Sequence, residues 1–314
     1  MADWHLHPTP EVLHGHFSRD LKPVLTVASG DRITGHDIPD AAWNRIPRTG
    51  DGIEPVKIFE RRGPQDAGHC LMGPIAISGA EPRMTLEVRV EKVVVGEHGW
   101  TSAGGWDHRV HQRLGLTEKE QMLYWKLDAS KGLGVDQFGD EVSLRPFLGV
   151  MGMPVDEDGI QPTPPPRQTG GNLDCKELVP GTTLYLPIEV PGGLFSFGDG
   201  HAAQGDGEVC VTAIECPIKE ATLSLHLHPT MKIGRPRARV EGAWITLGVN
   251  EDLNIASLDA LEEMVALMGE LHGIEPSRGV ALASVAVDMR VTQIVNGVQG
   301  VHAVLRDDAI RFGH

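Results

Sequence analysis

The chain has 314 residues, of which 40% are hydrophobic and 23% are charged, so it is long enough to bury a sizeable core and too apolar for wholesale disorder. Its formal net charge of -15 argues against binding to a nucleic-acid backbone and against docking on an anionic membrane surface. No apolar run reaches the roughly 18 residues of a membrane helix, no signal peptide is evident, and the four cysteines form no CxxC pair. We therefore expect a cytoplasmic protein.

Short β-like runs separated by turns make up the first third of the chain. In residues 85–95 apolar side chains alternate with polar ones, and Leu86, Val88 and Val90 fall on one face. This pattern predicts a strand with one face on a core. Residues 151–169 contain five prolines and predict an extended loop. Strand signals resume after this loop, in runs such as TTLYLPIEV and AWITLGV.

A helix is predicted over residues 257–272, where Ser257 can cap the first turn and Gly273 can end the last one. Its apolar face is predicted from helical spacing to consist of Leu258, Leu261, Val265, Met268 and Leu271. A second helix is favoured over residues 277–289. The Asn-Gly pair at 296–297 then predicts a terminal hairpin.

The elements together predict a mostly β fold, a sandwich or barrel, with a small helical contribution near the C-terminus. Length favours two regions. We predict an N-terminal β-sandwich region over 1–165 and a C-terminal β-rich region over 166–314, with an approximate boundary across which the two can intertwine.

Two Gly-Asp-Gly triplets stand seven residues apart, with His201 directly after the first and Glu208 directly after the second. Their glycines allow positive φ, which can bring Asp199, His201, Asp206 and Glu208 together. Such a set can bind a divalent ion: zinc with an open position, or calcium or magnesium. The alternative from the residues alone is two tight turns whose aspartates bond their own backbone.

Glu208 begins a predicted strand in which Val209, Val211 and Ala213 share a face with Glu215. A carboxylate aimed at an apolar layer has a raised pKa or a partner, and general acid/base catalysis uses such groups. The alternative is that Glu215 lies at a strand end and reaches water.

Two weaker clusters complete the candidates. In TGGNLDCKEL, Asn172 and Asp174 can face a ligand, although self-capping also explains the composition. His14, His16 and Asp20 are spaced similarly to the first cupin metal motif, but its second half is absent.

Several stretches taken together resemble the acetamidase/formamidase family. They are HFSRDLKPVLTVASGD, GPIAISGAEP, PFLGVMGMP, TGGNLDCKEL and the long TTLYLPIEVPGGLFSFGDGHAAQGDGEVCVTAIE, in this order along nearly the whole chain. The resemblance implies hydrolysis of a small linear amide, formamide or acetamide, to a carboxylate and ammonia. It also implies a jelly-roll-like β-sandwich with an additional β-barrel-like part and a small α/β piece, a homo-oligomer (a dimer or a multiple of it), and an active-site metal.

The family motifs map onto this sequence at positions that we assign to three roles. The predicted metal ligands, with zinc preferred over calcium or magnesium, are Asp199, His201, Asp174 and His16. The predicted acid/base groups are Glu208, Glu215 and Asp206, and the predicted substrate-binding groups are Asn172 and the backbone of Gly200.

Rival functions remain open at this point. One is hydrolysis of lactams or other cyclic amides on the same scaffold, and another is metal-free hydrolysis with Glu208 or Glu215 as base. A non-catalytic calcium- and ligand-binding β-sandwich and a cupin-like oxygenase are the remaining two. For a substrate as small as acetamide, we expect a small, closed pocket.

Overall fold

The computed structural model describes residues 1–44 and 59–311. The strands of its first half are β1 (Asp3–Leu6), β2 (Leu13–His14), β3 (His16–Phe17), β4 (Leu25–Val27), β5 (Asp31–Ile38), β6 (Leu71–Ile77), β7 (Thr85–Val95), β8 (His98–Ala103), β9 (Gln121–Asp128), β10 (Leu133–Asp136) and β11 (Glu141–Ser143). The strands that follow are β12 (Phe147–Gly152), β13 (Gln161–Pro162), β14 (Gly170–Asn172), β15 (Thr183–Pro187), β16 (Phe195–His201), β17 (Ile218–His228), β18 (Arg237–Val240), β19 (Ala243–Asn250), β20 (Val287–Gln293) and β21 (Gln299–Arg306).

Helices are few. They are α1 (Arg109–Leu114), α2 (Leu253–His272) and α3 (Pro276–Ala286), with a 3-10 turn at Gly63–Asp66. Within the described ranges, no helix combines the length and the apolar character that crossing a membrane requires.

The strands form several open sheets, so the predicted mostly β fold is confirmed. The largest has nine strands in the order β1-β5-β17-β7-β15-β18-β19-β21-β20. A second has six in the order β14-β12-β16-β6-β2 with β4 beside β6, and a third has four in the order β11-β10-β9-β8. Among the described residues, none of these sheets closes into a barrel.

The two largest sheets pack face to face around the main core. Gly35 of β5 lies so close to the facing sheet that an added Cβ would stand 3.0 Å from both Met72 of β6 and Phe197 of β16. Around this contact lie fully buried aliphatic residues such as Ile33 and Leu223. This sandwich holds β12, β14 and β16 in place, and the site is formed by residues on these strands and directly after them.

Strands from both predicted regions share the nine-stranded sheet. β17 lies between β5 and β7, and β15 lies on the other side of β7, so chain from both sides of residue 165 alternates in one sheet. The two regions thus intertwine. The division at residue 165 stays a prediction.

The local predictions are confirmed where one face of an element meets the core. Strand β7 spans Thr85–Val95, and its Leu86, Val88 and Val90 are buried. Helix α3 occupies most of the second predicted helix, and β20 pairs antiparallel with β21 across the turn that contains Asn296.

The predicted start of the long helix is wrong. Helix α2 begins at Leu253, four residues before Ser257, because the side chain of Asp252 caps it by accepting a hydrogen bond from the backbone N–H of Asn254 at 2.7 Å. Ser257 lies inside the helix, where its hydroxyl donates to the carbonyl of Leu253.

The predicted apolar face of this helix is right for Met268, which is buried, and for Leu261, which packs against the same core, but it is wrong for Leu258 and Leu271. Leu258 is 64% exposed and Leu271 is 45% exposed, whereas the buried residues are Ala256, Ala260, Met264, Leu267 and Met268. The physical reason is close packing on β19. A Cβ added to Gly248 would lie 2.0 Å from the carbonyl oxygen of Ala256, so only small side chains fit where the helix meets the sheet.

Candidate active site

Strand β16 supplies the centre of the site. It lies between β12 and β6 in the six-stranded sheet, and its last residues are Asp199 and His201. Two residues apart on a strand, these side chains share a face. Both are buried, and His201 Nε2 stands 3.4 Å from Asp199 Oδ1.

The first Gly-Asp-Gly triplet is therefore strand and not a turn, so the tight-turn alternative is wrong for residues 198–200. Its glycines serve close packing instead of positive φ. A Cβ on Gly198 would lie 2.4 Å from the Cys70 carbonyl oxygen, and one on Gly200 would lie 2.3 Å from Ile218. The left-handed backbone falls on the functional residues themselves, with φ of 60° at Asp199 and 44° at Glu208.

The segment after β16 is a loop, which corrects the predicted strand from Glu208 to Glu215. Positive φ at Glu208 and at Val211 (81°) breaks the alternation, and Val209 is 59% exposed. The loop nevertheless returns Glu215 to the site. Its backbone N–H donates to the carbonyl of Trp100, and its side chain is buried with Oε1 3.3 Å from His201 Nε2.

Asp174 reaches the same point from the segment after β14. Its backbone N–H donates to the carbonyl of Gly149 on β12 at 3.2 Å, which fixes the segment against the sheet. Its own φ of 48° turns the side chain inward, and the side chain is fully buried. Asn296 of the β20–β21 turn donates to Asp174 Oδ2 at 2.6 Å.

The result is two overlapping groups of side chains that share one imidazole. Asp174, His201 and Glu208 form one group, and Asp199, His201 and Glu215 form the other, each with ligand atoms within 4.8 Å of one another. One oxygen of each carboxylate has no hydrogen-bond partner in the described part of the chain: Asp174 Oδ1, Asp199 Oδ1, Glu208 Oε2 and Glu215 Oε2. Buried oxygens without partners are costly, so this cluster is suited to a bound cation or to shared protons.

The charges of the cluster polarise one another. Burial lowers the pKa of His201, but Glu215 and Asp199 outweigh burial and raise it well above its usual value. Burial raises the pKa of Asp199, but His201 and His69 hold it at about 2. Burial and the neighbouring Asp174 raise the pKa of Glu208 well above its usual value. The site thus moves the pKa values of two carboxyl groups in opposite directions, down at Asp199 and up at Glu208.

Two neighbours orient the imidazole. Gln204 lies 2.9 Å from His201 Nδ1 through Oε1, and its amide donates to the Asp174 carbonyl at 2.8 Å. The ring of Phe147 meets the imidazole edge-on with centroids 5.0 Å apart. The Gln204 oxygen accepts from Nδ1–H, so Nε2 is the nitrogen that faces the carboxylates.

Sequence reasoning missed four residues that shape this site: His69, Gly149, Gln204 and Asn296. Gln204 lies between the two Gly-Asp-Gly triplets, and the other three residues lie elsewhere in the chain. None of the four belongs to a sequence pattern that marks it as a site residue. His69 is anchored by Thr163, whose hydroxyl lies 2.8 Å from its Nδ1. Distant segments of the chain bring His69, Gly149 and Asn296 to the cluster, whereas Gln204 lies three residues after His201 in the loop that follows β16.

Two predicted site residues lie outside the two His201 groups. Asp206 pairs with Arg290 at 2.6 Å and with Lys176 at 3.2 Å, in a separate group with Glu177 and His302. His16 lies on β3, and its Nδ1 is 2.6 Å from the carbonyl of Gln65.

The predicted substrate-binding residues are placed differently from each other. Asn172 is buried at the end of β14, two residues before Asp174; its amide donates to the Pro164 carbonyl and its Oδ1 has no partner among the described residues. A Cβ built on Gly200 would meet Ile218 and the carbonyl oxygen of Cys216. This face of Gly200 therefore points away from the side chains of the cluster.

A cavity of about 640 Å³ adjoins the cluster at Glu208. It is bounded by the loop after β16 and by residues of β9, β11 and the segment before β12, including Trp125, Leu144 and Ile214. This cavity is larger and more open than the small, closed pocket that we expected, but it meets the cluster only at Glu208, so the expected pocket stays a prediction.

The sequence and the fold of this chain are similar to those of known amidases. Residues 153–305 match the Acetamidase/Formamidase family. A formamidase of Methylophilus methylotrophus is 51% identical over 47 residues, which are 15% of this chain and only 12% of that protein. The solved structure of an acetamidase from Yersinia enterocolitica has a TM-score of 0.84 and 25% identity, covering 98% of this chain and 92% of that one. Over residues 153–305, which are about half of its length, the chain is similar to the acetamidase/formamidase family, and its fold is similar to that of a solved acetamidase.

The matched range of the acetamidase/formamidase family includes Asp174, Asp199, His201, Glu208 and Glu215. Gly149 and His69 lie before it. A gamma lactamase from Delftia acidovorans resembles this chain in fold alone, with a TM-score of 0.63 and 17% identity over 98% of this chain and 94% of that one.

Proposed function

We propose that this protein is an amidohydrolase that cleaves the C–N bond of small linear amides such as formamide and acetamide, with water activated by a divalent cation. The observation that carries the proposal is the set of four buried carboxylates around His201, each with one oxygen that accepts no hydrogen bond from the described residues. The match of residues 153–305 to the Acetamidase/Formamidase family supports the same reaction.

The cluster fits a divalent cation in its donor chemistry. Imidazole nitrogen and carboxylate oxygen are zinc ligands with bond lengths of about 2.0–2.2 Å, so two ligand atoms of a tetrahedral zinc lie roughly 3.3–3.5 Å apart. His201 Nε2 lies 3.4 Å from Asp199 Oδ1 and 3.3 Å from Glu215 Oε1. We propose zinc held by Asp199, His201 and a carboxylate of Glu215 or Asp174. Calcium and magnesium remain alternatives, because the cluster is rich in oxygen.

A bound cation would polarise the amide oxygen and lower the pKa of water. The side chains of the protein carry out the proton transfers and hold the site in position. Glu208, whose raised pKa suits proton transfer, accepts the proton of the attacking water and passes it to the amide nitrogen as the C–N bond breaks. The products are the carboxylate and ammonia. Gln204 keeps the His201 ring in one orientation during these steps.

The test combines elemental analysis with a rate measurement. The purified protein is assayed for ammonia release from formamide and acetamide as isolated, after chelator treatment, and after zinc, calcium or magnesium is restored. We expect activity to follow metal content. Full activity in a verified metal-free sample would instead support metal-free hydrolysis with Glu208 or Glu215 as base. No ammonia from any amide would support the ligand-binding module.

A second candidate is hydrolysis of a cyclic amide on the same scaffold. The cavity of about 640 Å³ beside Glu208 is wide enough for a ring, and the lactamase neighbour shares the fold. Liquid chromatography of reactions with a five-membered and a seven-membered lactam separates the candidates, because ring opening gives an amino acid and releases no ammonia.

We also propose a cytoplasmic homo-oligomer, a dimer or a multiple of it. Exposed aliphatic side chains on α2 and α3 support assembly, with Leu258 at 64%, Val280 at 49% and Val285 at 81% exposure. Light scattering after size exclusion tests the oligomer: a monomer at all concentrations contradicts it.

A further inference from the structure

The cavity beside Glu208 is far larger than the small amides of the proposed function require. Its volume is about 640 Å³. An amide such as acetamide has few heavy atoms and occupies roughly 100 Å³, if each atom takes somewhat less than the ~30 Å³ of a water molecule. Cavities of several hundred Å³ are typical of ligands several times that size.

The wall of the cavity is mostly apolar. Trp125, Leu144, Ala203 and Ile214 line it, and Val209 stands at its edge with 59% exposure. Gln204, which contacts His201, and Glu208, which belongs to the cluster, also line the cavity. A ligand would therefore place its polar head at Glu208 and its apolar part against the wall.

The basic residues of the lining are already paired with acids. Arg145 donates to Glu177 Oε2 at 2.6 Å, and Lys176 lies 3.2 Å from Asp206 Oδ1. Their charges are thus compensated, and they offer little to an anionic ligand. A neutral apolar group suits this cavity better than an acidic one.

We propose that the cavity binds the acyl chain of an apolar primary amide, an aliphatic or aromatic group of roughly four to eight carbons, with its carboxamide at Glu208. This inference rests on the proposed function and names the substrate class of the same site. Each methylene buried against the wall adds binding energy that acetamide cannot supply.

The first test is a substrate series on the unmodified enzyme: formamide, acetamide, butanamide and hexanamide, with kcat/KM measured by ammonia release. We expect kcat/KM to rise about 4-fold per added methylene, the equivalent of about 0.8 kcal/mol. Turnover of formamide and acetamide with a flat or falling series overturns the acyl-chain cavity and leaves the proposed function standing. Turnover of none of the four contradicts the proposed function itself.

The second test measures occupancy of the cavity without turnover. Cys210 lines the cavity and is partly exposed, whereas Cys70, Cys175 and Cys216 are fully buried. N-ethylmaleimide should therefore label Cys210, and Cys210→Ser should lose the label. We expect the neutral ketone 2-heptanone to slow labelling at least 5-fold at a concentration where acetone does not. Equal protection by the two ketones overturns the proposal, whether or not any amide is hydrolysed.

A variant pair connects binding to rate. Ala203→Phe places a ring in the cavity, and Ala281→Phe adds the same ring on the exposed surface of α3 as the matched control. We expect the ratio of kcat/KM for hexanamide to that for acetamide to fall at least 10-fold in Ala203→Phe and not in Ala281→Phe. If Ala203→Phe does not fold, Val209→Trp narrows the exposed edge instead. An unchanged ratio in the folded variant contradicts the proposal.

Discussion

Gly149 lies directly beneath Asp199: a Cβ added to Gly149 would stand 2.4 Å from Asp199 Oδ2. The same Cβ would lie 2.8 Å from Asp174 Oδ1 and 2.9 Å from His201 Cε1. The side chains of Asp199, Asp174 and His201 thus meet at the Cα hydrogen of Gly149. They occupy space that a side chain at residue 149 would fill.

Gly149→Ala should therefore disrupt the site. The methyl group would displace Asp199 and Asp174, and displaced ligands typically cost 10- to 100-fold or more in metal affinity or activity. Metal content and ammonia release measure the loss, and circular dichroism checks the fold. Gly205→Ala is the control, because a Cβ there meets nothing within 4 Å. Equal metal content in the two variants contradicts the expected role of Gly149.

Replacing the carboxylate by an amide should slow the reaction strongly at Glu208 and only slightly at Asp206. Glu208→Gln removes the proton carrier, so kcat should fall about 10²- to 10⁴-fold. Asp206→Asn removes only an ion pair with Arg290 and Lys176, and its rate should stay within about threefold of the parent. Steady-state kinetics on acetamide compares them. A large loss in Asp206→Asn would restore Asp206 to the catalytic set in which the sequence placed it.

Asp40 should make stability fall as pH rises. Burial, with a smaller contribution from Glu215, raises its pKa from 3.8 to about 6, although Trp100 and Asn44 donate hydrogen bonds to it. The folded state therefore holds the proton more tightly than the unfolded state. The stabilisation is complete below pH 3.8 and is lost as pH rises through about 6.

Asp40→Asn cannot titrate at this position and isolates the effect. The free energy of unfolding of Asp40→Asn minus that of the parent should increase by about 3 kcal/mol between acidic pH and pH 8, from a shift of about two pKa units. Urea unfolding at several pH values measures this difference. A difference that stays constant with pH shows that Asp40 is ionised equally in both states.

Gly248→Ala should destabilise the protein without touching the site. Its methyl group would meet the Ala256 carbonyl oxygen at 2.0 Å and the Ala260 nitrogen at 2.6 Å, so helix α2 would have to move off the sheet. Overpacking of this kind costs about 1–3 kcal/mol. Thermal unfolding measures the change against Gly205→Ala. Parent-like melting of Gly248→Ala would mean that α2 shifts at little cost.

Local patterns were reliable where one face of an element packs on a core and the other does not. The alternation in Thr85–Val95 predicted β7, because a sheet exposes successive side chains to opposite environments. The same kind of reasoning failed for part of α2, where Ala256 and Ala260 are buried while Leu258 and Leu271 are exposed. The sequence does not reveal that Gly248 brings the strand into contact with the helix backbone.

By itself the sequence determined the mostly β fold, the likeness to the acetamidase/formamidase family over residues 153–305, and the presence of Asp174, Asp199, His201, Glu208 and Glu215 in two short stretches. Tertiary structure decided which candidates meet. It set Asp206 in an ion pair with Arg290, placed His16 against Gln65, and brought Gly149 and His69 to the cluster. The physical reason is that strand pairing between distant segments fixes these contacts, and neither periodicity nor local turn chemistry encodes which strands pair.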